Sequence, residues 1–514
     1  MTLNSDQGQV VFHSKLRNML WPIKQSELRK FLPMIGMMFS VLFNQNVLRI
    51  IKDSLIISEI SPEAISFTKV YCVTPVAALF VVIYAKMVNV LSFDKIYYYL
   101  ISFFMGFFII FAFVIYPRIH SFHADARLLT DLVLHYPYLK WYIIIAGNWS
   151  YVLFYTLAEL WPNIFYVLLF WQCANEVTTT QEAKRFYTFF ALFGNSALIC
   201  VGLLMKHLSS KDSIASIILP QVESKIAFIQ ISTILLIFFA LLSCLFIKFI
   251  YGNIFSDPAL YGKAKNPRSI KTKLGMVESF KYILHSRYLW LMLVCSASFG
   301  LSMNLVEAVW KAKISQLHQG LNAYAEFSSS YILWTGVVIM IMTLVGNNLI
   351  RKYSWFVAAI ITPITIAFTG SVFFALVVFD NISRFVFESW NTFFSFISHE
   401  NCRMNSILAF AVTMGAIQNI LAKGAKYSVW DSSREMLYIP LDEELKTKGK
   451  ASVDLISSKI GKSTSGLLQS IVFTVLPNAT LDSISGFLLS IFLVVCITWI
   501  SSVRQIYLEY QKIV

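Results

Sequence analysis

The sequence predicts an all-α polytopic membrane protein of about twelve transmembrane helices in two six-helix halves. Three observations carry this. The 514 residues are 57% hydrophobic and only 14% charged, against roughly 25% charged in soluble domains. Apolar runs of about 20 residues recur along the whole length, which is what a helix needs to cross a bilayer. A basic stretch near the middle divides the runs into two groups. The runs are continuous rather than alternating, which excludes a β-barrel.

Residues 1–30 form a polar, basic tail without the apolar core and cleavage site of a secretory signal. The first half covers 31–250, with spans expected at 31–51, 69–91, 96–116, 141–171, 186–206 and 226–250. A basic linker, 251–287, follows. The second half covers 288–503, with spans at 288–309, 329–350, 354–379, 403–423, 455–476 and 483–503, and a tail of 504–514. The fourth span is too long for one perpendicular helix and carries Glu159 and Pro162 near its middle. Proline kinks a helix, so this is one tilted, broken helix or two short ones.

The net charge of +14 would suggest a nucleic-acid partner in a soluble protein. Here it sits largely in tails and loops, where Lys and Arg set orientation. Lys15, Arg17, Lys24, Arg29 and Lys30, the linker lysines from Lys263 to Lys281, the pair Arg351 and Lys352, and Arg504 and Lys512 all fall on one side if the span count is even. That side is expected to be cytoplasmic, with both termini. The remaining positive charge is free to line a path for an anion.

Polar groups inside apolar runs are the leads to function, because they are costly in a bilayer and usually face a bundle interior. The first run ends on Asn44, Asn46, Arg49 and Lys52. Arg49 and Lys52 share a helical face. They read either as anchors that snorkel to the interface or as the start of an anion pathway. The first span runs outward and would place both at its outer end, where positive residues are not favoured; this weakens the anchor reading. The seventh span repeats the pattern with Asn304, Glu307 and Lys311, which lie on one face by i, i+3 and i+7 spacing. Glu159 is a further intramembrane carboxylate. Lys446, Lys448 and Lys450 alternate after an acidic triplet, as a solvated loop or as a phosphate-facing cluster.

Nothing points to an enzyme. Gly461-Lys462-Ser463 resembles the end of a phosphate-binding loop, but Ile456 stands where that motif needs its first glycine; it reads as a helix start near the membrane surface. His120, His123 and Asp125 form one isolated cluster in an outside loop, which reads as solvated rather than as a metal site. The seven cysteines fall mostly in apolar runs, without C-x-x-C pairs, and read as small packing residues. No cofactor or metal is expected.

As a set, Trp21-Pro22-Ile23, Phe31-Leu32-Pro33-Met34, Leu48-Arg49-Ile50-Ile51-Lys52-Asp53, Ala158-Glu159-Leu160-Trp161, the run from Glu182 to Tyr187, Asn304-Leu305-Val306-Glu307 with Trp310-Lys311, and the stretch from Tyr438 to Lys450 resemble the ATP/ADP translocases of obligate intracellular bacteria and plastids. The resemblance spans nearly the whole chain. It implies a major-facilitator-like fold and nucleotide exchange across a membrane. It implies functional charges at Lys52, Glu159, Glu307 and one of Lys446, Lys448 and Lys450. Glu176 stands where plastid members tend to carry a neutral amide, and Thr188 where proline is common; both departures weaken the carry-over of adenine specificity.

The expectation is therefore a bacterial inner-membrane transporter that supplies the cell with host nucleotides. Its substrates would be ATP and ADP, or GTP, GDP, CTP or UTP, exchanged by alternating access. The alternative is a proton- or cation-coupled symporter of nucleotides or another organic anion. Arg49, Lys52, Lys311 and one of the three C-terminal lysines would meet phosphate. Glu159 and Glu307 would gate or couple, and Asn44, Asn46 and Asn304 would read base or ribose. Besides the substrate and the bilayer, no nucleic acid and no obligatory protein partner is expected.

Overall fold

A computed structural model describes residues 23–210, 214–254, 286–352, 355–391, 401–438, 440–441 and 450–513. Most of the basic linker, together with Lys446 and Lys448, lies outside the described residues. Among the described residues there is no strand, and twelve long helices follow one another. They are α1 (Leu28–Glu59), α2 (Ala64–Val90), α3 (Phe93–Phe122), α4 (Trp149–Val177), α5 (Thr180–Ser209), α6 (Ser224–Ile254), α7 (Arg287–Leu317) and α8 (Leu321–Lys352), then α9 (Trp355–Asn391), α10 (Asn401–Ala425, carried on to Met436), α11 (Lys450–Val475) and α12 (Ser485–Ile513).

Eleven of these helices are long and apolar enough to cross a membrane. The other is α11, whose apolar stretch is only Ser463–Val475. Its polar residues Ser457, Ser465, Gln469 and Ser470 are buried against other helices, so they lower its hydropathy without meeting lipid. Elsewhere the outward faces are apolar. Leu79, Val81 and Val82 on α2, Phe238 and Leu241 on α6, and Val494 and Ile497 on α12 are exposed. Such a belt is a liability in water. It suits a multi-pass membrane protein, whose backbone polar groups are satisfied inside each helix.

Local chemistry explains several boundaries. Thr179 and Glu182 form a reciprocal capping box that starts α5, with Thr179 N–H to Glu182 Oε2 at 2.8 Å and Glu182 N–H to Thr179 Oγ1 at 3.3 Å. Ser286 accepts the Leu289 N–H and starts α7. Gly320, at φ +87°, makes the tight turn into α8. The expected fourth span resolves into two pieces. A short helix, Lys140–Gly147, ends at Asn148, and α4 then runs on with a wide π-helical segment at Pro162–Phe170. Proline lacks the N–H that a regular turn requires.

Most helices exceed the spans expected for them, and this changes what their charges do. α1 continues past Lys52 to Glu59, so Arg49 and Lys52 are not helix-end anchors. Gly461-Lys462-Ser463 lies inside α11 rather than at a helix start.

α1 packs against α4, α5 and α6, while α7 packs against α10, α11 and α12. The helices before and after the linker meet along α5 with α8 and along α2 with α11. The α5–α8 contact is close because Gly202 and Gly336 have no side chain. A Cβ on Gly202 would sit 2.7 Å from the Leu333 backbone, and one on Gly336 would sit 2.9 Å from the Leu198 side chain. At the end of the bundle away from the N-terminus, hydrogen bonds tie the two groups of helices together. Leu481 N–H donates to Glu63 at 3.0 Å, Lys140 to the Pro477 carbonyl at 3.2 Å, and Asn322 to Ser224 at 2.8 Å.

Candidate functional site

On α1, Arg49, Lys52 and Asp53 follow i, i+3, i+4 spacing and share one face. On α7, Asn304, Glu307 and Lys311 share a face by i, i+3, i+7 spacing. Where these faces meet, with Glu159 of α4 beside them, six charges form one chain of alternating sign. Glu159 pairs with Lys52 at 3.0 Å, and Lys52 with Asp53 at 2.9 Å. Asp53 pairs with Lys311 at 2.9 Å, Lys311 with Glu307 at 3.1 Å, and Glu307 with Arg49 at 3.6 Å. The chain thus passes from α4 through α1 to α7 and back to α1.

Its middle is buried and its ends are open. The side chains of Lys52, Asp53 and Lys311 are 7–8% exposed, while those of Glu159, Glu307 and Arg49 are 21–30% exposed. Burying isolated charges is expensive, and only close opposite charges offset that cost. Lys52 gains further support from Tyr155, whose ring centre lies 4.2 Å from its ammonium.

Two cavities flank the chain and share Glu307 and Lys311. One is lined also by Lys69, Asn304, Ser465 and Gln469. The other is lined also by Arg49, Asp53, Tyr324 and Tyr331. An anion that reaches the chain from either cavity meets Arg49, Lys52 and Lys311 already paired to carboxylates. It can take one of these three cations only by displacing a carboxylate, so binding to the chain and its rearrangement are coupled in the geometry itself.

Of the residues singled out in the sequence, Arg49, Lys52, Glu159, Asn304, Glu307 and Lys311 come together here. Asn304 accepts from Lys69 at 3.5 Å and donates to the Gly300 carbonyl at 2.7 Å. Asn44 and Asn46 do not line either cavity. Asn44 donates to the Leu236 carbonyl at 3.1 Å and fastens α1 to α6, and Asn46 donates to the Leu42 carbonyl of its own helix at 2.7 Å. Both amides are buried in packing, so the base or ribose contact expected of them has no support in the geometry. Lys446 and Lys448 lie outside the described residues; Lys450 opens α11, and its side chain is likewise outside them. In the loop between α3 and α4, Asp125 caps the helix Ala126–His135 and His123 bonds Ser150 at 2.6 Å.

The structure adds residues that were not singled out for a role. Asp53 is the middle carboxylate of the chain, although it stood in view in the first-span motif. Lys69 and Lys423 were hidden at the edges of expected spans, where a snorkelling lysine needs no explanation. Tyr155 and Tyr331 are visible only once the helices are packed.

A helical bundle with buried charges bridging its two groups of helices, beside two cavities, is a multi-pass membrane architecture with a major-facilitator-like fold. Solved structures agree on the fold, and at such low identity on the fold alone. A bacterial homologue of the iron transporter ferroportin matches with a TM-score of 0.56 and 12% identity over 93% of this chain and 100% of that one. The xylose transporter XylE from E. coli matches with a TM-score of 0.50 and 11% identity over 93% and 95%. Sequence goes further. Residues 6–510 match the family model of the TLC ATP/ADP transporter. The chain is 59% identical over 502 residues to ADP,ATP carrier protein 5 of Rickettsia bellii, covering 98% of each. It is 58% identical, with the same coverage, to the protein of that name in Rickettsia prowazekii. ADP,ATP carrier protein 1 of Rickettsia bellii is 38% identical over 503 residues, or 98% of this chain and 97% of that one. The chain belongs to the TLC ATP/ADP transporter family.

Proposed function

We propose that this protein exchanges nucleotides across the bacterial inner membrane by alternating access, with both termini in the cytoplasm. The helices before and after the linker act as two six-helix halves that rock about the central charge chain. Its substrates are ATP and ADP or other ribonucleoside di- and triphosphates, as the family and the names of its relatives suggest.

The observation that carries this reading is the chain from Glu159 to Arg49, which joins the two groups of helices through charges a polyphosphate can compete for. In the empty site Glu159, Asp53 and Glu307 hold Lys52, Lys311 and Arg49. Phosphate oxygens replace those carboxylates, and the freed carboxylates release the halves from each other. When the nucleotide leaves, the ion pairs reform. Glu159 and Glu307, the more exposed carboxylates, act as the gates. Asn304 is placed to meet the sugar or the base. Lys446, Lys448 and Lys450 supply further positive charge at the cytoplasmic mouth.

Uptake of labelled ATP and ADP into cells expressing the protein tests this, with ATP, ADP, GTP, CTP and UTP as competitors and with or without nucleotide inside. Exchange requires uptake that depends on internal nucleotide. Uptake that needs no internal nucleotide but collapses with the membrane potential would replace exchange by cation-coupled symport.

A further inference from the structure

The six-charge chain is balanced, with three cations against three carboxylates. Two more lysines, one lining the first cavity and one behind a wall of the second, stand outside that balance. Lys69 on α2 lines the first cavity and donates to the neutral Oδ1 of Asn304. Lys423 on α10 donates to the hydroxyl of Tyr331, a wall of the second cavity, and its ammonium lies 4.9 Å from the centre of that ring. Among the described residues, neither lysine makes a salt bridge, whereas Arg49, Lys52 and Lys311 all do. One cation is thus added on each side of the Glu307–Lys311 pair.

Their backbone is as unusual as their charge. Lys69 sits in a π-helical segment, Thr68–Val73, and Lys423 lies just ahead of another, Lys426–Trp430. Single π turns occur often at functional sites, because they re-aim side chains at the expense of regular helix bonding. Half-burying an ammonium against only neutral partners is costly. It is consistent with a site built for an anion.

We infer that Lys69 and Lys423 are the cations that first receive the phosphate chain of the substrate, and that they divide the work with the paired cations. This rests on the nucleotide-exchange reading above. A terminal phosphate carries about two negative charges and each further phosphate adds about one. Two surplus cations therefore balance a monophosphate completely and leave the six-charge chain closed. A di- or triphosphate brings charge beyond that. It is neutralised only when Glu307 yields Arg49 and Asp53 yields Lys311, and these steps open the two links between α1 and α7. Lys69 and Lys423 set affinity, and the paired cations convert the extra phosphates into movement.

The test is exchange kinetics in proteoliposomes holding the full chain. Lys69→Gln and Lys423→Gln are each expected to raise KM for ADP and ATP by about 10- to 100-fold, the loss of one charge-assisted contact. The maximal exchange rate should stay near that of the unaltered protein, because the charge chain is intact. The double variant should raise KM further, and Lys69→Arg and Lys423→Arg should restore it. KM should also become less sensitive to salt in the glutamine variants. In the unaltered protein, inorganic pyrophosphate should compete with ADP. A KM unchanged in both glutamine variants, or pyrophosphate that fails to compete, overturns the inference, and the second outcome does not depend on any variant folding. Failure of the parent reading looks different: the unaltered protein would then exchange no labelled nucleotide at all.

Discussion

Helix α7 carries two lysines two residues apart, and they sit in opposite worlds. Two residues turn a helix by about 200°, so Lys311 and Lys313 leave it on nearly opposite faces. Lys311 points into the central chain, between two cavities, and pairs with Asp53 of α1. Lys313 points among the C-terminal helices. It pairs with Asp380 at 2.8 Å and Asp482 at 3.2 Å and donates to Asn381 at 2.7 Å. Lys313 and Asp380 have no exposed side-chain surface at all. Asn381 donates in turn to the Asp482 carbonyl at 3.0 Å and to Ser485 at 3.1 Å, and Gln316 bonds the Asp482 carboxylate. One network adjoins cavities and crosses between two groups of helices. The other lines neither cavity, has its Lys313–Asp380 pair fully buried and stays within one group. The same ion pair therefore serves as a replaceable link in one place and as a rivet in the other. What separates them is access for a competing anion, not the strength of the contact.

The largest expected effect breaks the rivet. Lys313→Ala leaves Asp380 and Asp482 without their cation, and removing one partner of a buried pair costs about 3–5 kcal/mol. The variant should be lost from the membrane, or should unfold at a much lower temperature in detergent than the unaltered protein. Normal yield and melting would remove the distinction drawn between the two lysines.

Lys52→Ala should separate folding from transport. Asp53 keeps Lys311 as a partner, and Glu159 is partly exposed, so the fold survives. Uptake should fall to background, because the cation between Glu159 and Asp53 is gone. Full uptake by a correctly inserted variant would sink the phosphate role of Lys52.

Glu307→Gln sharpens the comparison further. It frees Arg49 and leaves Lys311 held by Asp53 alone, so a nucleotide competes with one carboxylate fewer. Equilibrium binding should tighten by about tenfold, the equivalent of one modest charge interaction, while exchange slows because one carboxylate fewer re-pairs to expel the substrate. Weaker binding would mean that Glu307 contacts the substrate rather than competing with it.

How much of this could be read in the sequence depends on what each residue had to meet. The membrane fold was legible because apolar runs and basic loops are properties of the chain itself. Lys52, Glu159 and Glu307 were legible as charges in apolar surroundings. Lys69 and Lys423 were not, because hydropathy ends a span at the first lysine it meets, while the helices run past both. The polar half of α11 was counted as part of a span, yet only Ser463–Val475 of that helix is apolar, and its burial is a matter of packing. Asn44 and Asn46 misled for the opposite reason. An amide in a membrane helix is noticed at once, but whether it faces a cavity or a neighbouring helix is decided by rotation about the axis, which depends on the other eleven helices.

The smallest expected effect concerns an ion pair of intermediate character at the end of the bundle that carries the N-terminus. Glu27 receives two bonds from Arg185, at 2.9 and 2.6 Å, and one from the Lys24 N–H at 2.9 Å. Burial pushes its carboxyl pKa up, but the Arg185 and Lys24 contacts outweigh this and hold it below the ordinary carboxylate value. A depressed carboxylate stabilises the fold above its unfolded pKa of roughly 4.3, and that stability is lost as pH falls through the folded value. The unaltered protein should therefore melt at nearly the same temperature from pH 7 to 5 as far as this pair is concerned, and lose stability only in stronger acid. Arg185→Gln removes the main lowering contact and leaves the burial. Glu27 should then titrate above its ordinary value, and its contribution should reverse sign, so that the variant gains relative to the unaltered protein as pH falls from 7 to 5. The difference at pH 7 should be about 1–3 kcal/mol, the range for a hydrogen bond to a charged group, read as a drop of a few degrees in melting temperature. If the gap between the two proteins is the same at both pH values, Glu27 is not held by Arg185, and the pair belongs with neither the rivet nor the replaceable links.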